Sequence, residues 1–249
     1  MASPFSEGGS PAASDSSVEA AFEALRRYDH GSSRGSLVPL DRAIAECEGD
    51  GNARQRCETR LLKLLDDGVS PVAREYICAK LAMIGSDRSV TALIASLREP
   101  QASTAAMTAL RVIPGPAVAK ALLAAIPKFS TNEMIGAIRI LGGRRQAGCE
   151  GGLARLFRNM EPQAAVAAAK ALGEIGSVKA ANALKTFLPV APPALRVQVA
   201  DACLVCAENL RVAGNTRSAK ALWDLLSSAN VPEHMRAAAS RAKAQSPSA

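Results

Sequence analysis

The apolar positions of this chain recur in short phrases instead of long runs. One phrase is an aliphatic or thiol pair three residues apart, closed by a small or helix-breaking residue. It occurs five times, as Leu81…Ile84-Gly85, Leu110…Ile113-Pro114, Ile138…Leu141-Gly142, Leu172…Ile175-Gly176 and Cys203…Cys206-Ala207. The closing residues are 29, 28, 34 and 31 residues apart. Spacing of i and i+3 places each pair on one helical face, and a terminal glycine supplies the left-handed backbone that ends a helix. Gly85, Gly142 and Gly176 are read as such stops, while Pro114 ends its helix because proline cannot continue the hydrogen-bond ladder.

A second phrase follows each first one: Ala92-Leu93…Leu97, Ala121-Leu122…Ile126, Gly152-Leu153…Phe157, Ala183-Leu184…Leu188 and Ala221-Leu222…Leu226. Its leucines are 29, 31, 31 and 38 residues apart, and the long last step assigns Glu208–Thr216 to a longer first helix and connecting loop. An upstream copy, Arg60-Leu61…Leu65, implies one more unit, with 36–47 as its first helix. A period of about thirty residues marks stacked helix pairs, each too apolar on both sides to stand alone. The expected fold is all-α, a right-handed α-solenoid of about six to seven antiparallel helix pairs. It spans 18–243, between disordered tails at 1–17 and 244–249 whose Ser, Pro, Gly and Ala have nothing to bury.

Composition supports helices over strands, since 48% of residues are hydrophobic yet only 3% are aromatic. No stretch approaches the roughly 18 apolar residues of a membrane span. The opening MASPFSEGGSPAASDSS lacks the basic start and apolar run of an export signal, so the chain as written is expected to be soluble and cytoplasmic, or exported only if a leader has been removed. Six cysteines are too scattered for a disulfide framework, and reduced, partly buried thiols are expected. Cys47 and Cys57 flank the turn EGDGN, however, and the helices on either side could bring them together; a bridge there would favour an oxidising compartment.

The run VAREYICAKLAMIGSDRSVTALIASL (72–97) resembles HEAT repeats and the HEAT-like repeats of the bilin-lyase type. Tyr28-Asp29-x-Gly31-x-Ser33-Arg34, the Val205–Glu208 region and Pro232–Ala239 are similar to HEAT-repeat proteins of planctomycete and verrucomicrobial bacteria. That resemblance implies an interaction scaffold, in a family whose arrays often accompany other modules in exported chains.

Chemistry is sparse. His30 and His234, the two histidines, stand near opposite ends of the array. Di-iron hydroxylases of the deoxyhypusine class need repeated His-Glu pairs, which this chain lacks. Cys203 and Cys206 occupy positions that Leu and Ile take elsewhere, so they are read as core, with no second pair for zinc. Alkylpurine DNA glycosylases share the repeat type but need aromatics around a catalytic acid, and Trp223-Asp224 stands alone in its register. A bilin lyase would rest on generic repeat similarity, which transfers no activity. The expectation is a chain that catalyses nothing and takes no cofactor or metal.

Charge points to a partner. Residues 1–100 carry 12 Lys/Arg against 15 Asp/Glu, and 101–249 carry 18 against 8. The stretch 101–160 is the most basic, with Arg111, Arg139, Arg144 and Arg145 among its eight cations against Glu133 and Glu150. Arg111 and Arg139 share a position in the first phrase, and the second helices, expected to line the concave face, add Lys120, Arg155, Lys185 and Lys220. Trp223 is either an exposed anchor or packed under the Glu208–Thr216 connection. The favoured partner is a protein, identity open. Nucleic acid is the alternative, through its phosphates, because stacking aromatics and recognition motifs are missing.

Overall fold

A computed structural model describes residues 15–159 and 161–245. The described residues are 80% helical and form fourteen α-helices and no strand, as the all-α reading expects. They are α1 (Asp15–Arg26), α2 (Val38–Glu46), α3 (Gly51–Asp67), α4 (Pro71–Ile84), α5 (Val90–Ser96), α6 (Ser103–Val112) and α7 (Ala117–Ala125). Then follow α8 (Thr131–Gly143), α9 (Glu150–Asn159), α10 (Pro162–Ile175), α11 (Val178–Phe187), α12 (Pro193–Val212), α13 (Thr216–Ser228) and α14 (Glu233–Gln245). The tails expected at 1–17 and 244–249 lie for the most part outside the described residues; α1 already begins at Asp15 and α14 ends at Gln245. No described helix is long and apolar enough to cross a membrane.

Starts and stops follow local chemistry. Ser70 accepts from the Ala73 amide with Pro71 at the first helical position of α4, and Ser130 and Glu133 form a reciprocal capping box on α8. Asp50 and Ser177 cap α3 and α11.

The contacts divide the chain into two compact units, one ending at Ala109 and the other beginning at Leu110, inside α6. In the first, α1 packs on α2, α2 on α4, and α3 on α4 and α5. In the second, α8, α10 and α12 pack in succession as a layer of first helices, and α9, α11 and α13 as a layer of second helices, with α14 against α12 and α13.

Burial fixes the register. The second-helix leucines Leu61, Leu93, Leu122, Leu153, Leu184 and Leu222 are all fully buried. On the first helices the fully buried series is Leu81, Leu110, Leu141, Leu172 and Cys203, spaced 29, 31, 31 and 31. This corrects the assignment at 138–142 by one helical turn. α8 continues through Gly142, and the left-handed residue is Arg145 (φ +48°), standing where Gly176 (φ +61°) ends α10. Gly142 serves a close approach instead: a Cβ there would lie 2.7 Å from the Cα of Ala171 on α10. Gly173 repeats the geometry 2.8 Å from the Ala202 carbonyl oxygen on α12. Gly85 (φ −64°) ends α4 in extended backbone, so of the three presumed stops only Gly176 is left-handed. Under this register Arg139 matches Lys170, and Arg111 matches Gly142, so Arg111 and Arg139 do not share a position.

At the far end, α12 absorbs the extra length, running 20 residues to Val212. The expected long loop is only the turn 213–215.

Polar side chains clasp neighbouring pairs together. Buried Glu58 on α3 accepts hydrogen bonds from the Ser86 amide (2.7 Å) and the Ser86 and Ser89 hydroxyls (2.8 and 2.6 Å), just ahead of α5. Buried Glu150, at the same distance before its leucine, accepts from Ser177 Oγ at 2.7 Å, the cap of α11. Free carbonyls at first-helix ends are met similarly: Arg54 donates to Ile84 O, and Asn209 to Gly173 O, each at 2.9 Å.

Candidate functional site

The corrected register brings a groove onto the first-helix layer of the second unit. Spacing of four residues aligns Ile135, Arg139 and Gly143 along one face of α8, and Val166, Lys170 and Glu174 along the facing side of α10. With Arg111, Arg145 and α12's Leu195 and Gln198, these residues enclose about 910 Å³. The floor is aliphatic, from Ile135, Val166, Ala167 and Leu195, and the walls carry four cations against one carboxylate, Glu174.

Two glycines shape it. Gly142 lets α10 approach α8, and Gly143 leaves room for the Arg111 guanidinium, whose Nη2 lies 3.3 Å from where a Cβ would stand. Arg111, Arg139, Arg145 and Lys170 are all exposed. Among the described residues none of these four forms an ion pair. Arg145 stands out further, because a left-handed backbone costs a side-chain-bearing residue about 1–2 kcal/mol relative to glycine. The chain places an arginine at the groove's edge where the next repeat uses glycine.

The other candidates fall elsewhere. Arg144 is committed inside the protein: Nη1 donates to Leu110 O (2.8 Å) and Ile113 O (2.5 Å), and Nη2 to Gly115 O (2.8 Å), closing the end of α6. It occupies the position that Ile113 and Ile175 hold in neighbouring repeats, which converts a core site into a cap. Lys120, Arg155 and Lys185 are exposed on the second helices α7, α9 and α11, and Lys220 is half-buried on α13; none lines the groove. Trp223 is 1% exposed, so it is a core residue of α13 and not a surface anchor. A ring pair that sequence reading did not single out, Phe157 and Phe187, stacks at 4.1 Å between α9 and α11.

No described triad of His, Cys, Asp or Glu is gathered where it could hold a metal ion. His30 and His234 are exposed. Cys203 and Cys206 are fully buried, as expected of core replacements, and burial pushes the Cys206 thiol up to about 12.

No family model matches the chain, and no curated protein sequence matches it. Among solved structures the chain is similar to human deoxyhypusine hydroxylase in complex with glycerol. The identity is 14% and the TM-score 0.39, over 92% of this chain and 95% of that one. The likeness is compatible with an all-helical, repeat-like fold, and at that score it transfers no substrate or site. It does correct one expectation. The solved chain is an enzyme by name, so absence of catalysis is not a property that can be assigned to this protein from its helical architecture.

Proposed function

We propose that the chain is a scaffold that binds a protein partner, and that the partner lays an acidic stretch in the groove formed by α8, α10 and α12. The observation that carries this is the set of four exposed cations, unpaired among the described residues, around an aliphatic floor. Arginine suits the task because its planar fork takes carboxylates two-pronged, and the apolar floor offers an anchor point that phosphate backbones would not use.

The direct test is fluorescence anisotropy with a labelled peptide of alternating Glu and Leu, and with single-stranded DNA of similar charge. The peptide is expected to bind, and Arg111→Glu/Arg139→Glu/Lys170→Glu to weaken it by at least tenfold. The matched reversal on the second helices, Lys120→Glu/Arg155→Glu/Lys185→Glu, is expected to leave it unchanged. Preferential DNA binding that falls steeply with salt would transfer the groove to nucleic acid. Equal losses from both triple variants would overturn the placement.

A further inference from the structure

Cys47 ends α2 and Cys57 sits in the second turn of α3. The turn between them is set by Gly49 in a left-handed conformation (φ +86°) and by Asp50, whose carboxylate accepts from the Asn52 and Ala53 amides at the start of α3. That geometry brings the two sulfurs to 3.8 Å. Cys47 is buried and its thiol donates to Ala43 O at 3.1 Å, while Cys57 is only half-buried. The remaining cysteines, Cys78, Cys149, Cys203 and Cys206, are all sealed in the core.

We infer that Cys47 and Cys57 form a disulfide when the protein meets a disulfide oxidant, and that this bond locks the turn joining α2 to α3. The sulfurs need to close by roughly 1.7 Å to reach bonding distance, and the partly exposed Cys57 side chain has room to move. With glutathione disulfide as oxidant, the Cys57 thiol loses its proton and its thiolate attacks one glutathione sulfur. The glutathione S–S bond breaks, one glutathione leaves, and a mixed disulfide remains on Cys57. Cys47 then loses its proton, attacks the Cys57 sulfur and expels the second glutathione. Two protein thiols are oxidised, and one glutathione disulfide is reduced to two thiols. The enclosed segment, 48–56, contains Arg54, whose guanidinium caps the end of α4 through Ile84 O and Met83 O. Closing the bond therefore also holds this inter-pair cap in place.

The experiment uses the full chain, purified reduced, incubated folded with glutathione disulfide, quenched with iodoacetamide and cut with trypsin. The expected product is peptide 43–54 joined to peptide 57–60, lighter by about 2 Da than the two reduced peptides together. The linked protein should also melt above the reduced form by roughly 5 °C or more. Cys57→Ser should abolish both effects, and Cys203→Ser neither. Recovery of both peptides alkylated, a stable glutathione adduct on Cys57 without the link, or a link from Cys57 to any other cysteine would each overturn the inference. Because the peptide map is read on the unmutated chain, a poorly folding variant does not blunt it.

Discussion

Gly142 offers the sharpest test of how this array is built. Its replacement by alanine places a methyl group 2.7 Å from the Cα and 2.9 Å from the Cβ of Ala171, and 2.6 Å from Glu174 Oε2. The glutamate can swing aside; the α10 backbone cannot, so the two helices must separate. Overpacking of this kind costs about 1–3 kcal/mol, and alanine's helix propensity returns about 1, leaving a net loss of up to roughly 2 kcal/mol. For a chain of this size that corresponds to a fall of up to about 8 °C in melting temperature. The assay is thermal and urea denaturation followed by far-ultraviolet circular dichroism. Gly151→Ala is the internal control, since a Cβ on that α9 residue meets nothing within 4 Å and should add stability. Gly173→Ala should repeat the loss, as its Cβ would face the Ala202 carbonyl at 2.8 Å. If Gly142→Ala gains as much stability as Gly151→Ala, Gly142 stands in open space and the corrected register is wrong.

Three further outcomes follow from the clasps and the core. Arg144→Ala should cost about 1–3 kcal/mol by stripping donors from the carbonyls that close α6, read as a lower urea midpoint. Burial works to raise the Glu150 pKa, but hydrogen bonds from Ser177 and Gly148 and the charge of Lys179 hold it below its usual 4.5. A depressed carboxylate adds stability above the unfolded value and loses it as pH falls through the folded one, so the parent's margin over Glu150→Gln should shrink below about pH 4.5 in melting curves taken from pH 7 down. Trp223→Ala should cost about 3–5 kcal/mol and lower the melting temperature, while Lys185→Ala leaves it unchanged, as befits a buried ring and an exposed cation.

Much of the fold was legible because a helical core writes itself as a period. The second-helix leucines Leu61, Leu93, Leu122, Leu153, Leu184 and Leu222 are all fully buried, and the thiols at 203 and 206 sit where Leu172 and Ile175 stand one repeat earlier. The slip at Gly142 has a plain cause. A Gly-Gly pair ahead of two arginines looks like a stop, whereas glycine also serves where two helices nearly touch. The irregular 28 and 34 spacing, beside a regular 31 on the second helices, carried the warning.

The groove was less readable, because its residues come from several first helices and their neighbours only after the register is right. Lys170 and Glu174 went unremarked for that reason. Arg144 looked like a surface cation because nothing local says that it reaches carbonyls more than thirty residues upstream, at Leu110 and Ile113. The clasps of Glu58 and Glu150 left a faint trace, a glutamate three residues before a buried leucine and a serine seven before the next one.

Those two carboxylate clasps are unevenly distributed. Counting three residues back from the other second-helix leucines finds Val90, Ala119, Ala181 and Ala219, none of which can accept a hydrogen bond through its side chain. In arrays where each pair leans only on its neighbours, such inequality sets an order of breathing. Amides at the starts of α5 and α11 should therefore surrender their protons to deuterium late, and those opening α7 and α13 early, giving the array a built-in hierarchy of places where it can come apart without unfolding.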